Sequence, residues 1–255
     1  MGKRIHAAII SWEGHHDKAH AIAAALVGHV EKLSIIYSNR LGHSESGAGN
    51  WIQIDDSAFF GRKFKVALAT HQDEDFLIQI QADASYDDWG NVIALLREAA
   101  NTRPQLGVWA PNIDWCFWTE KNTVISPISR TTLCHVTHTD AIVWAFSREI
   151  VTRMHELDYS INNLGWGIDI FATCCAASRG LDVLRDQSIC VRHERGSGYG
   201  HDEARDQMDA FFQQMNDREL ACHQLVKAHF AANNVKTKPR SLKKCLKSIL
   251  RTRDN

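Results

Sequence analysis

Residues 76–89 read FLIQIQADASYDDW, and how this stretch is interpreted decides the fold. Phe76 to Ile80 is apolar apart from Gln79, which suits a short buried strand. Acids follow at once, at Asp83 and then at Asp87 and Asp88. In open α/β sheets, ligands gather outside the carboxyl ends of the strands. A carboxylate there can hold a hard divalent cation against a phosphate-bearing substrate, because such cations take oxygen ligands and keep waters beside them. The same residues also fit a polar loop capping a helix that starts near Trp89. This stretch alone leaves both readings open.

Upstream, Ile5 to Ile10 predicts a first strand that ends at Ser11-Trp12-Glu13-Gly14. His15 to Leu26 predicts a helix and Lys32 to Tyr37 a second strand. Strand, turn, helix, strand is how a nucleotide-binding α/β sheet begins. Neither GxGxxG nor GxxxxGK[ST] occurs, so a dinucleotide fingerprint and a P-loop are both unsupported. His16 and His20 share a helix face but lack the glutamate of an HExxH motif, and read as helix surface. Gly42 to Asn50 is a loop, Trp51 to Ile54 a third strand, and Phe59 to Ala69 a helix. On that helix Arg62 and Lys65 lie one turn apart, able to face either a diphosphate or solvent.

Downstream, a helix runs from Trp89 to about Thr102, and a strand from Leu106 to Ala110 is stopped by Pro111. Residues 112–132 are less periodic; Trp115, Phe117 and Trp118 suggest a lid, a sugar-stacking wall or a connection pinned by its aromatics. Val136 to Phe146 predicts a strand carrying His138 and Asp140, followed by a helix from Ser147 to His155. Three positions apart in extended chain, His135 and His138 point to opposite faces and are not paired as metal ligands. In the segment NNLGWGID, residues 162–169, glycines on both sides of Trp166 permit a tight turn. Asp169 then opens an apolar helix from Ile170 to Ser178. It is either a first-turn acid facing the helix dipole or a fixed carboxylate suited to taking a proton. Leu181 to Leu184 and Ile189 to His193 predict two further strands. His193, with Arg192 and Arg195 beside it, precedes the glycine-rich loop 196–200, as suits a metal–diphosphate site that closes on substrate. Asp202 to Met215 predicts a further helix.

The 255 residues suffice for one large α/β domain or two halves sharing a core. Lysine plus arginine number 29 against 30 acids, which argues against a general nucleic-acid-binding field. Seven cysteines without a CxxC pair predict reduced thiols and a cytosolic setting. After Lys3-Arg4 the apolar run is interrupted at Glu13, too early for a signal peptide. No run approaches the roughly 20 apolar residues of a membrane span. Lys236 to Arg253 is strongly basic and fits either a solvated tail or peripheral contact with anionic membrane at its cytoplasmic face.

Taken in order, these features resemble a GT-A-fold glycosyltransferase. They are most similar to the family 2 bacterial enzymes, with a GWG segment like that of galactosyltransferases. The resemblance spans roughly residues 4 to 200. It implies an α/β fold with a mostly parallel, GT-A-like nucleotide-binding sheet flanked by helices. Residues 1–212 would form one catalytic domain, with a nucleotide-sugar half (1–130) and an acceptor half (131–212); residues 213–255 would form a helical, basic extension. Gln81-Ala82-Asp83 takes the Asp-x-Asp place, and His193 that of the late metal-binding histidine. Asp83 and His193 would hold Mn2+ or Mg2+. Ser11 and Trp12 lie where the first strand meets the nucleotide, Asn39 near its base, and Arg62 and Lys65 near its phosphates. Asp169 takes the place of the acceptor-activating base, with Trp166, Asp140 and Trp118 around the acceptor.

The implied reaction moves a sugar from a nucleotide-sugar donor to a saccharide or lipid-linked glycan, with inversion. Two departures stand out. Gln81 replaces the first aspartate, and Ile168-Asp169 replaces a Glu-Asp pair. A nucleotidyltransferase would want a glycine-rich basic loop after the first strand, which Ser11 to His15 does not supply. A non-catalytic nucleotide- or carbohydrate-binding protein draws its support from Gln81.

Overall fold

The computed structural model describes residues 2–114, 120–194 and 200–233. Trp115, Phe117 and Trp118, Arg195 with most of the glycine-rich loop, and the basic stretch Lys236 to Arg253 lie outside the described residues. The first half contains β1 (Ile5–Ser11), α1 (His16–Leu26), β2 (Lys32–Tyr37), β3 (Asn50–Gln53), α2 (Phe60–Thr70), β4 (Phe76–Gln81), β5 (Ala84–Ser85), α3 (Trp89–Thr102) and β6 (Leu106–Ile113). The second contains α4 (Glu120–Thr123), β7 (Val124–Pro127), β8 (Leu133–Val136), β9 (Val143–Ser147), α5 (Arg148–His155), α6 (Ile168–Ala177), β10 (Asp182–His193), α7 (His201–Phe212) and α8 (Asp217–Asn233).

Among the described residues the strands form one sheet in the order β3-β2-β1-β4-β9-β6-β10-β8-β7, with β5 added on β10. β1 pairs in parallel with β2 and β4, and β2 with β3. β9 lies antiparallel between β4 and β6. β10 then runs parallel to β6. Every residue of β1 is buried, which explains its unbroken apolar run: both faces of a central parallel strand are covered. Ile5, Ala7 and Ile9 pack with Ala19 and Ile22 of α1 and Val92 and Leu96 of α3. Ala8 and Ile10 face the other way, toward Phe64 of α2, Ile150 of α5 and Phe171 of α6. The period of two along β1 thus sorts the helices into two layers.

Three strand assignments change. The predicted strand Val136 to Phe146 is two strands, β8 pairing β10 and β9 pairing β4 and β6. His138 and Asp140 therefore sit in the connection between them. Leu181 to Leu184 and Ile189 to His193 are one strand, β10, carrying a bulge where its register on β6 jumps from Asp186–Pro111 to Cys190–Asn112. Asp186 holds the bulge, accepting bonds from the Ser188 amide at 2.9 Å and hydroxyl at 2.6 Å. Pro111 does not stop β6, because it falls at this bulge, where a missing N–H is tolerated.

α8 is joined to the domain through Glu219, which is fully buried. Its carboxylate accepts two 2.9 Å bonds from the Arg153 guanidinium and one of 3.2 Å from Arg179. No helix among the described residues is long and apolar enough to cross a membrane.

Candidate functional site

The carboxyl ends of β4, β6 and β10 meet at one place. Gln81 closes β4 by fastening the 137–142 connection across its end. Its backbone N–H donates to the Ile142 carbonyl at 2.8 Å and its side-chain amide to the Ala141 carbonyl at 2.9 Å. Asp83 follows, and β5 then pairs antiparallel with the tip of β10, setting Ala84 opposite His193. This short ladder lays Asp83 against His193. Their Oδ2 and Nε2 atoms lie 3.1 Å apart, with the side chains 13% and 10% exposed. The His193 backbone N–H donates to Asp114 Oδ1 at 2.9 Å, adding an acid from the end of β6. Asp83 Oδ1 is buried and has no hydrogen-bond partner among the described residues.

Two more carboxylates complete the cluster. Asp140 is half-buried in the connection after β8. Burial lifts its carboxyl to about 6, and the Asp83 charge adds to the rise against the opposing pull of His193 and Arg185. Asp169, also half-buried, stands in the first turn of α6. Burial and then the Asp140 charge lift it to about 7, opposed by the backbone N–H groups of Ile170 and Asp169 itself. Burial works against a charged His193, yet its hydrogen bond to Asp83 and the Asp83, Asp140 and Asp114 charges outweigh that and raise its pKa. Three half-buried acids and one imidazole thus lie near enough to shift a neighbour's protonation. Such a group can hold a cation, or take a proton near neutral pH. Asp88, by contrast, only caps α3, accepting the Asn91 N–H at 2.9 Å. Asp87 is exposed beside Arg192 at 3.2 Å.

Around the ends of β1 and β2 lies a second group of polar residues. Ser11 is buried, with its hydroxyl 2.8 Å from His16 Nδ1. Trp12 packs its ring on His15 at 4.7 Å. Asn39 folds a turn after β2, its side chain accepting the Leu41 N–H at 2.9 Å. Arg62 is exposed and reaches Ser57 Oγ at 3.5 Å. Lys65 turns instead to the end of α5, donating to the His155 carbonyl and, at 3.3 Å, to that of Leu157. The lysine that faces inward is Lys63. It is buried, and burial lowers its pKa to about 8 against the opposing charge of Asp56. Asp56 in turn accepts the Ser38 hydroxyl at 2.9 Å. Lys63 was legible in one respect: it adjoins Phe64 on the apolar stripe of α2, where a lysine has no packing reason to stand.

The GWG turn is a rigid wall beside these groups. Gly165 and Gly167 have φ of 85° and 76°, values favoured for glycine. Asn162 donates to the Trp166 carbonyl at 2.9 Å and accepts the Gly165 N–H at 3.0 Å. The Gly61 N–H at the start of α2 donates to the Asn163 carbonyl at 2.8 Å. The Trp166 ring lies 5.3 Å from that of His201 and keeps partial exposure. Trp118 lies outside the described residues.

Separately, His6, His71 and Glu74 form a cluster capable of coordinating a divalent ion, each offering one ligand atom within 4.8 Å of the others. It sits by the start of β1, whereas Ser11 ends that strand about 16 Å further on at ~3.3 Å per residue.

No protein-family model and no curated protein sequence matches this chain. Among solved structures it is similar to the crystal structure of GalNAc-T7 with UDP, GalNAc and Mn2+, at 10% identity and a TM-score of 0.64, over 86% of this chain and 49% of that one. The chain thus spans about half the length of that protein. A looser overlap, with a TM-score of 0.46 and 12% identity over 83% of this chain and 99% of that one, is with CMP:2-keto-3-deoxy-manno-octonic acid synthetase complexed with CTP. The fold is therefore GT-A-like: a mixed α/β unit whose central, largely parallel sheet is flanked by helices.

Proposed function

We propose that the chain is a glycosyltransferase of the GT-A type, related to the family 2 bacterial enzymes, that moves a sugar from a nucleotide-sugar to a hydroxyl of a saccharide or lipid-linked glycan. The observation that carries this reading is the Asp83–His193 pair beyond the carboxyl ends of β4 and β10, with Asp83 near enough to raise the proton affinity of Asp140, and Asp140 that of Asp169. The nucleotide lies over the ends of β1 and β2. Ser11, Asn39 and Asp56 offer polar contacts there, and Lys63 and Arg62 offer positive charge for the diphosphate. Asp83 and His193 fit a divalent ion, Mn2+ or Mg2+, since Asp83 Oδ1 is buried without a partner among the described residues and a carboxylate oxygen suits either cation. When bound, such an ion offsets negative charge on the departing nucleoside diphosphate.

The chain's own residues do the rest. Asp169, lifted toward neutrality, accepts the proton of the acceptor hydroxyl as that oxygen attacks the anomeric carbon. Burial, and after it the Asp140 charge, keeps that carboxyl's proton affinity high. Trp166 offers an aromatic face to the acceptor sugar. With Asp169 as the base and no nucleophile assigned on the other face among the described residues, the reading favours inversion. Cytoplasmic residence with peripheral membrane contact follows from the acceptor class and the basic stretch Lys236 to Arg253.

The test is a screen of nucleotide-sugars for release of nucleoside diphosphate, with and without Mn2+ or Mg2+. Release with one donor, lost on chelation, is the expected result. Gln81 favours one competing reading, a non-catalytic nucleotide- or carbohydrate-binding protein, because its amide is already used to fasten the Ala141 carbonyl. Tight donor binding with no turnover of any donor would select that reading.

A further inference from the structure

The metal reading of the carboxyl-end site leaves the His6, His71 and Glu74 cluster without a role. These side chains come from three segments at the amino end of the sheet. His6 is the second residue of β1, His71 caps the end of α2, and Glu74 precedes β4. His6 and Glu74 are buried, and the His71 side chain is only 3% exposed. The two imidazoles lie nearly parallel, 10° apart with centroids at 5.9 Å. His71 Nδ1 is 3.7 Å from Glu74 Oε2, too far for a good hydrogen bond.

What makes the cluster unusual is its unmet bonding. Among the described residues, both ring nitrogens of His71 and the Nδ1 of His6 are buried without a partner. A group left unpaired away from water is destabilising unless something binds it. His6 Nε2 already sits 3.0 Å from the hydroxyl of buried Ser34. If Nε2 carries the proton and donates it to Ser34, Nδ1 is left as a bare lone pair. That arrangement is how a ligating histidine is normally oriented by an outer partner.

We propose that His6, His71 and Glu74 bind Zn2+ at the amino end of the sheet, independent of the carboxyl-end site and of the activity proposed for it. Two imidazoles and one carboxylate form a common three-residue zinc set, with water in the fourth position. Burial holds both imidazoles neutral, as ligation requires, pushing His6 down to about 3 and lowering His71. The ion would join the start of β1 to the turn between α2 and β4. Lys32 and Arg148 border the site: Lys32 bonds the Thr70 carbonyl and Gln72, and Arg148 the Glu74 carbonyl at 3.0 Å. Their positive charges oppose the ion, so affinity falls below that of an uncrowded set.

The experiment uses the full chain, stripped with chelator and titrated with Zn2+ against a chromophoric competitor. Stoichiometry is read for the wild type, His71→Ala, Glu74→Gln and His193→Ala, with folding checked by circular dichroism. The expected result is that His71→Ala and Glu74→Gln each bind one equivalent fewer than the wild type, while His193→Ala keeps the equivalent they lose. The affinity loss should exceed the ~10–100-fold typical of removing an outer partner. Zn2+ should raise the unfolding temperature of the wild type but not of His71→Ala. For a variant that fails to fold, imidazole NMR of the wild type decides: two buried histidines should shift together at one equivalent. An unchanged stoichiometry in His71→Ala, no binding by the wild type, or no such shift would overturn the proposal.

Discussion

At the scale of single residues, Asp169 separates the chemical reading from the structural one. Asp169→Asn is nearly isosteric but a very poor base, so transfer at saturating donor and acceptor should fall about 10²–10⁴-fold while donor affinity holds. In the wild type, transfer should rise with pH through about 7, because the base works only when deprotonated. Stability should move oppositely. A carboxyl whose folded pKa is raised favours the fold below its unfolded pKa and loses that contribution as pH rises through about 7. Asp169→Asn should therefore match the wild type near pH 4 and exceed it in unfolding temperature at pH 8. A variant that is less stable at pH 8 would mean the carboxylate acts mainly on the α6 dipole. Gly61 offers a purely steric counterpart. A Cβ there would stand 1.9 Å from the Asn162 carbonyl oxygen, so Gly61→Ala should cost about 3 kcal/mol, the upper end for overpacking. Urea denaturation at constant slope would measure it. Asp83, Asp169 and His193 were visible in the sequence because each follows or opens a periodic segment. The part of Gln81 in fastening the 137–142 connection was not, since it depends on a strand sixty residues away.

At the scale of elements, boundaries of uniform segments were readable and those of mixed ones were not. α3 begins and ends where its apolar spacing and Pro104 place it. In the sequence β10 reads as two strands because Asp186, Gln187 and Ser188 look like a break, although Asp186 uses that polarity to hold a bulge. The 137–142 connection reads as strand because it is short and lies between two β-prone apolar segments, Leu133 to Val136 and Ile142 to Phe146. Its departure is set by β8 and β9 pairing with different parts of the sheet. α8 shows little helical segregation of apolar residues, so its attachment through Glu219 was equally hidden. Glu219→Ala leaves Arg153 and Arg179 without their buried acid, and should cost about 3 kcal/mol, the lower end for a broken buried pair because both arginines keep some exposure. Glu156→Ala, at a largely exposed partner of the same Arg153, should cost under about 1 kcal/mol. Thermal unfolding of the two variants side by side tests the contrast; equal losses would remove Glu219 as the anchor of α8.

At the scale of the whole molecule, the basic stretch Lys236 to Arg253 bears on where the protein works. Sedimentation with anionic liposomes should be stronger for the full chain than for one ending at Val235, and the difference should shrink with salt, each basic residue contributing up to about 1 kcal/mol near such a surface. Equal sedimentation of both would remove the stretch from membrane contact. The sheet order has a different consequence, for a chain still being made. Residues up to Gln81 already contain β1 to β4, which pair among themselves in parallel. The partner for the free side of β4 is β9, which ends at Ser147, some sixty residues later. Until then Phe76 to Ile80 presents an apolar edge with unpaired N–H and C=O groups, a template for pairing with another nascent chain. Synthesis that pauses between residues 82 and 143 would prolong that exposure, and the hazard would end only when an antiparallel strand from the second half closes over the first.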